Sequence, residues 1–315
     1  MKSRFPMPLR QRGVAVIIAL LLTTLAITIV ASLFWQQQVQ VRSIENQRLQ
    51  LQKQWILRGA LDWAGLILRE DLKHSSVDTL DEPWAVPLAE TRLDQYVENG
   101  HADGDIADTT LSGSISDAQA RYNLTNLCPQ GKINPAEVAA FARLLDQAHL
   151  DPALAQATAN IMAAAHPVSG IETRTDPASP LPMSLTQLDD LLAVPGFTPQ
   201  IIGMLQERVI FLPRHTPVNV NTASAQVLAG KIKGLVLDDA LTLVSSRNTA
   251  SFRHLADFTE RLADKNLSLS DLDLAVSSNY FLVNGKVRMG RAELEVQALI
   301  ERNTTQTKLI WIREY

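Results

Sequence analysis

Histidine and cysteine often serve in catalysis or metal binding, but this sequence does not space them for either role. No two of the six histidines have the spacing of a metalloprotease motif. The histidines are His74, His101, His149, His166, His215 and His254. The sequence also has no Gly-x-Ser-x-Gly motif of a serine hydrolase. The single cysteine, Cys128, excludes an internal disulfide and a multi-cysteine zinc site. Because no activating base lies nearby, we expect a buried thiol, with an exposed, oxidisable thiol as the alternative. These residues predict that the chain is not an enzyme.

Carboxylates supply the one pattern with ligand chemistry. Residues 101–108 (HADGDIAD) place Asp103, Asp105 and Asp108 in a loop that contains glycine. Oxygen ligands at such spacing suit Ca²⁺, although the complete EF-hand pattern is missing. An ordinary solvated turn is the competing interpretation, so Ca²⁺ stands as an open possibility for a cofactor.

The residues that must position any such chemistry begin with an apolar segment. Val14–Trp35 contains no charged residue, and as a helix it would span about 33 Å, enough for a hydrocarbon core of about 30 Å. The preceding residues, 1–13, carry four basic residues and no acidic one. By the positive-inside rule we expect a single-pass inner-membrane protein, with a cytoplasmic N-terminus and a periplasmic soluble domain.

The start of the apolar segment has three interpretations. A secretory signal peptide would be cleaved near Val30-Ala31-Ser32, but the apolar core of such a signal is usually only 7–15 residues long. A plain signal anchor is the second. The third comes from the junction of Gly13 with Val14, because a short basic leader ending in glycine before an apolar helix resembles the signal of the type IV pilin superfamily. That resemblance implies that prepilin peptidase cuts after Gly13 and methylates Val14.

A carboxylate that pilins usually carry is missing here. In the pilin family the fifth mature residue is usually Glu, which pairs with the N-terminal ammonium of a neighbouring subunit. Counted from Val14, the fifth residue is Ile18, and no acidic residue occurs between Val14 and Trp35. The resemblance therefore implies a subunit with one functional end, at the end of a polymer. The alternative is that Ile18 is an ordinary residue of a membrane helix.

The later elements are predicted from capping residues and periodicity. Helix starts are indicated at Asn134-Pro135, with Glu137 reaching back, and at Asp151-Pro152, Ser184–Gln187, Thr198-Pro199 and Asn221 or Thr222. Alternating apolar residues from Ala292 to Ile300, between two other strand-like segments, predict an antiparallel sheet. We predict an α+β, type IV pilin-like fold with a large inserted all-α domain. The predicted parts are a leader (1–13), a long helix (14–72, transmembrane over 14–35), a first β region (73–127), the α-domain (128–276) and C-terminal strands (277–315).

Two segments of the predicted α-domain resemble helix-hairpin-helix units, which often bind DNA. Residues 191–208 and 219–247 align Gly196 with Gly234, but the second glycine of the DNA-binding turn is Thr198 in one and Val236 in the other. Asp238 and Asp239 follow the second turn and would repel phosphate. We therefore expect structural helix pairs and no nucleic-acid partner, with a membrane-anchored periplasmic DNA-binding protein of the DNA-uptake type as the alternative.

Taken together, the motifs resemble the K-type minor pseudopilins of type II secretion systems. The resemblance is carried by the acid-free apolar segment, residues 80–85 (LDEPWA), 115–127 (ISDAQARYNLTNL) and 217–224 (PVNVNTAS). It implies a place at the tip of the periplasmic pseudopilus, and assembly with the I- and J-type minor pseudopilins. Further implied partners are the major pseudopilin, prepilin peptidase, the inner-membrane assembly platform and secreted proteins. The resemblance also implies calcium in the periplasmic parts, with no ligand mapped onto this chain.

The charge balance argues against a nucleic-acid binder. The net charge is −4, and removing residues 1–13 would take away four positive charges and leave −8. A polybasic nucleic-acid binder is thereby excluded at the level of the whole chain. The mean hydropathy of 0.00 averages the membrane segment with a polar, acidic remainder.

Overall fold

The computed structural model describes residues 12–93, 109–166, 183–262, 267, 273–290 and 292–315. The chain forms two units, residues 1–56 and 57–315. The described helices are α1 (Arg12–His74), α2 (Pro135–Gln147), α3 (Ala153–Ala165), α4 (Pro199–Leu205), α5 (Ala225–Lys231), α6 (Leu237–Thr249) and α7 (Leu255–Glu260). The described strands are β1 (Leu88–Arg92), β2 (Thr109–Asp117), β3 (Tyr122–Asn123), β4 (Val209–Ile210), β5 (Val218–Asn219), β6 (Leu274–Ala275), β7 (Tyr280–Met289), β8 (Ala292–Arg302) and β9 (Thr307–Glu314).

The first unit holds the apolar part of α1, whose side chains are exposed. Within the described residues, α1 is the helix long and apolar enough to cross a membrane. Its few polar side chains are satisfied by the helix itself, since the Thr23 and Thr24 hydroxyls donate to the carbonyls of Leu20 and Leu21. A helix whose apolar residues are exposed all round and whose polar groups are internally bonded suits a lipid environment.

The second unit contains a five-stranded antiparallel sheet with the order β1-β2-β7-β8-β9. The three C-terminal strands pair as consecutive neighbours, which confirms the antiparallel sheet predicted from the alternation. Strand β2 pairs with β7 along its whole length, from Thr109–Met289 to Asp117–Phe281. The chain therefore leaves the sheet after β2, and residues 118–279 form an inserted segment. The chain then returns to the sheet as β7, next to β2.

Both faces of the sheet are covered. On one face, Leu61, Ala64 and Leu68 of α1 pack with Trp84 and with strand residues such as Phe281. The Trp84 and Phe281 rings meet edge to face at 5.2 Å, so Trp84 is an anchor of this core. On the other face, Leu282 and Leu299 pack against apolar residues of the inserted segment, Ala118, Ile210 and Leu212.

The inserted segment has a helical core of its own. Helices α2 and α5 approach closely because Gly230 has no side chain, and a Cβ there would lie 2.3 Å from the Leu144 Cγ. The core also holds an edge-to-face pair of Phe252 and Phe258, with ring centres 5.1 Å apart. This packing buries apolar area from the six described helices after α1 and needs no disulfide.

Two predicted helix starts are confirmed. The Asn134 side chain accepts from the Ala136 N–H, and the Thr198 hydroxyl accepts from the Ile201 N–H. Asp151 accepts from the Ala153 N–H, but α3 begins one residue later than predicted, with Pro152 at its N-cap.

Three other predictions about helix starts are wrong. The N-cap of α5 is Ser224 and not Asn221 or Thr222, because those two side chains bond to distant partners. The capping box near residue 184 consists of Gln187 with Asp190 and begins a 3-10 helix, Leu188–Ala193. The Glu137 carboxylate does not reach back to the cap, since it bonds Lys231.

Candidate functional site

The motifs at 115–127 and 217–224 meet in a buried polar junction between the sheet and the inserted helices. At its centre, the Asp117 Oδ2 accepts hydrogen bonds from Thr222 Oγ1 (2.5 Å), Ser278 Oγ (2.6 Å) and Asn219 Nδ2 (3.0 Å). The Asp117 Oδ1 accepts from the backbone N–H of Gln119 at 2.7 Å. One buried carboxylate therefore ties the end of β2 to the inserted segment and to the chain that returns into β7.

Asparagine side chains extend this junction by imitating a backbone partner. The Asn126 amide donates to the Thr216 carbonyl and accepts from the Thr216 N–H. The Asn221 amide makes the same reciprocal pair with the backbone of Phe252. Each of these asparagines is buried, so each satisfies main-chain groups that would otherwise be unpaired. The asparagines of the two motifs thus hold segments that are far apart in sequence.

A buried arginine connects the junction to the end of α1. The Arg302 guanidinium donates to both oxygens of Asp78 at 2.5 and 2.6 Å, and to Asp71 at 2.8 Å. It also donates to the Ser278 carbonyl and lies 4.6 Å from the centre of the Phe281 ring. The last residue of β8 therefore anchors the α1 segment and the entry to β7 together.

Two carboxylates of this network titrate well above their ordinary range. Burial raises the pKa of Asp117 to about 6, although hydrogen bonds from Ser278 and Thr222 oppose the change. Burial and repulsion by Glu82 raise the pKa of Asp71 to about 6, against the attraction of Arg302. Hydrogen bonds and ion pairs hold the junction together, but it carries a desolvation penalty.

The residues predicted to act at the membrane lie in the first unit. Gly13 and Val14 fall within α1, which begins at Arg12. Ile18 follows Val14 by four residues and thus lies on the same helix face, with 54% of its surface exposed. The apolar side chains of Val14 and Ile18 are available to lipid or to a neighbouring helix.

The structure tests the prediction for Cys128 but not the prediction for the acidic loop. Cys128 is buried, which confirms the expected state of the thiol, and burial raises its pKa. The predicted calcium loop, with Asp103, Asp105 and Asp108, lies outside the described residues.

The two hairpin turns share a backbone feature, and the residues that follow the second turn are apolar or acidic. Gly196 and Gly234 both adopt positive φ, +102° and +87°, which is the left-handed conformation that glycine tolerates. Next to the second turn, Lys231 is buried and paired with Glu137. Exposed Val236 then leads into two aspartates in the first turn of α6. An apolar and acidic turn of this kind disfavours DNA.

The sequence contains the residues that form the junction, but sequence patterns relate each of them only to near neighbours. Asp78 and Arg302, which carry the buried ion pair, were not singled out, since 224 residues separate them. Thr222 and Asn221 were noticed as capping residues, and their true role is long-range. A cluster of Asn, Thr and Ser inside an otherwise apolar segment is the signal that indicates such a role.

Comparisons with known proteins agree on one family. Two family models described as "Type II secretion system (T2SS), protein K" match residues 120–214 and 218–280, which together make half of the chain. The type II secretion system protein K of Pseudomonas aeruginosa is 27% identical over 93% of this chain and 89% of its own. That of Aeromonas hydrophila is 24% identical over 96% of each.

A solved structure shares the fold. A chain of the GspK-GspI-GspJ complex from enterotoxigenic Escherichia coli superposes with a TM-score of 0.65 at 18% identity, covering 87% of this chain and 99% of that one. None of these similarities supports the DNA-binding alternative. The chain belongs to the family of type II secretion system protein K, the K-type minor pseudopilins.

Proposed function

We propose that this chain caps the tip of the periplasmic pseudopilus and helps to start its assembly, so that folded proteins can be exported across the outer membrane. The observation that carries the proposal is the apolar segment Val14–Trp35, which has Ile18 where a pilin subunit usually has Glu. It acts as an assembly subunit and not as an enzyme, and it takes no nucleic acid.

The charges at the start of α1 give the subunit two unequal ends. After cleavage at Gly13, the ammonium of Val14 would lie at the start of α1, and a buried ion needs a partner of opposite charge. A neighbouring subunit with Glu at its fifth residue can supply that partner. This chain has no carboxylate in Val14–Trp35 to offer in return. The Val14 ammonium can therefore pair with the Glu of one neighbouring subunit, but this chain cannot pair with the ammonium of a further subunit.

The inserted helices supply the second argument. Asp117 at the end of β2 accepts buried hydrogen bonds from Thr222 and Asn219 of the inserted segment, so this segment forms a permanent part of the subunit. A domain of this size on the side of the sheet would obstruct stacking within a filament, whereas the tip leaves room for it. The similar chain from enterotoxigenic E. coli occurs in a complex with GspI and GspJ, which supports I- and J-type minor pseudopilins as partners here.

The proposal also assigns topology and processing. The N-terminus is cytoplasmic, α1 crosses the inner membrane once, and the second unit lies in the periplasm. Prepilin peptidase cleaves between Gly13 and Val14 and methylates Val14. The inner-membrane assembly platform and the major pseudopilin complete the assembly partners, and secreted proteins are contacts at the tip.

Three measurements test the proposal. Mass analysis of the N-terminus of the protein purified from membranes should find methylated Val14, whereas an intact Met1 or cleavage near Ala31 would contradict the assignment. Co-purification should recover the I- and J-type minor pseudopilins with the full-length chain. If the chain instead shifts duplex DNA with a steep dependence on salt, the hairpins are functional and the proposal fails.

A further inference from the structure

Three side chains at the edge of the inserted domain converge in a way that the secretion function does not require. They are Glu137 from the first turn of α2, His215 from the chain before β5, and Asp273 next to β6. One ligand atom from each lies within 4.8 Å of the other two. The His215 Nε2 is already 2.8 Å from the Asp273 Oδ2.

The Glu137 carboxylate carries the second observation. The Glu137 residue is only 5% exposed, and Lys231 donates to its Oε1 at 2.5 Å. Its Oε2 is buried and has no hydrogen-bond partner among the described residues. A buried carboxylate oxygen without a donor is costly, so a positively charged group near it would be stabilising.

The donor set and its access indicate the class of that group. One imidazole and two carboxylates form a mixed nitrogen and oxygen set, which suits zinc better than calcium or magnesium, since those two prefer oxygen alone. The side chains of His215 and Asp273 are 39% and 41% exposed, so an ion could enter and keep water in its open positions. With neutral His215, the two carboxylates outweigh the ammonium of Lys231, and the group is net negative.

We propose that Glu137, His215 and Asp273 bind one divalent transition metal ion of the zinc type. The ion would link the start of α2 to the two segments that lead into β5 and β6, which pair with each other in parallel. It would therefore brace the route by which the inserted domain returns to the sheet. Because binding requires the folded arrangement of three distant segments, the ion would stabilise the folded protein.

The test uses the full-length protein in detergent, stripped of metal and titrated with Zn²⁺ by calorimetry. We expect one Zn²⁺ per chain and a rise in Tm on binding. His215→Asn and Asp273→Asn, both at half-exposed positions, should weaken binding at least about tenfold and reduce the rise in Tm at the same Zn²⁺ concentration. His166→Asn is the matched control, because His166 is exposed and outside the cluster, and it should bind Zn²⁺ as the wild type does.

Three results would overturn the site. These are no Zn²⁺ binding by the wild type, equal affinity in wild type and His215→Asn, and binding of Ca²⁺ without Zn²⁺. Circular dichroism of each variant shows whether it is folded, and Asp273→Asn provides an independent result if His215→Asn is not.

Discussion

The membrane segment and the buried junction treat charge in opposite ways. Val14–Trp35 has no charged residue at all, whereas the junction buries Asp78, Asp117 and Arg302 almost completely. In the first region, we propose that a missing carboxylate limits which neighbours the subunit can accept. In the second, buried charges fix one inserted domain to one sheet. The same physical cost, that of an unpaired buried ion, fixes architecture in the junction and, in our proposal, would specify assembly in the membrane segment.

The largest expected effect comes from breaking the junction's ion pairs. Arg302→Leu leaves the carboxylates of Asp71 and Asp78 buried without their partner, which should lower the free energy of unfolding by about 3–5 kcal/mol. Denaturant unfolding of the full-length protein in detergent measures it. Arg288→Leu is the control, because its ion pair with Glu90 is half exposed, and it should change stability by less than about 1 kcal/mol. Equal losses in the two variants would show that the buried pairs have no special role.

The second prediction uses pH to sharpen the comparison. The pKa of Asp117 is raised to about 6 in the folded protein, above its ordinary value of 3.8, so the folded state binds the proton more tightly than the unfolded state. Its contribution to stability should therefore be fully present below about pH 4 and be lost as the pH rises through about 6, up to about 3 kcal/mol. The difference in unfolding free energy between wild type and Asp117→Asn, followed from pH 4 to pH 7, isolates this group. A difference that does not change with pH would contradict it.

A site without charge gives the third comparison. Gly230→Ala places a Cβ 2.3 Å from the Leu144 Cγ, so the Leu144 side chain or the two helices must shift, at about 1–3 kcal/mol. Gly203→Ala, in α4 with open space around it, should instead be neutral or stabilising by about 0.5–1 kcal/mol. Thermal unfolding of the two variants would contradict the packing argument if both shift Tm in the same direction.

The smallest effect is expected in the membrane segment itself. The Thr24 hydroxyl donates to the Leu21 carbonyl of its own helix at 2.9 Å. Thr24→Val removes a hydrogen bond that contributes little. The free energy of unfolding should therefore change by less than about 0.5 kcal/mol, and the amount of protein in the membrane fraction should stay the same. A marked loss of protein from the membrane fraction would mean that Thr24 bonds a partner helix.

The sequence alone predicted the elements whose residues interact with near neighbours. The α1 helix, the alternation of β8 and the caps at Asn134 and Thr198 depend on residues within a few positions, and these predictions held. The cap assigned to Thr222 failed because its hydroxyl bonds Asp117, 105 residues away. A prediction from neighbouring residues cannot identify a partner so far away in the sequence.

The candidate site shows the same division. The motifs that form the junction were recognised, but neither the Arg302–Asp78 pair nor the Glu137–His215–Asp273 cluster follows from spacing. Both join segments that become neighbours only after the inserted domain has returned to the sheet. Gly13, Val14 and Ile18 came from a local pattern, and their roles remain predictions.

The central claim is that Ile18 makes this chain an end subunit, and Ile18→Glu tests it most directly. The matched control is Ile17→Glu, which adds the same charge at the same depth but on a different helix face. In cells making pseudopili, filament lengths measured by electron microscopy should change with Ile18→Glu, because a further subunit can now be paired ahead of this one. Ile17→Glu should leave the length distribution as in the wild type. Unchanged lengths in Ile18→Glu, or the same change in both variants, would contradict the account.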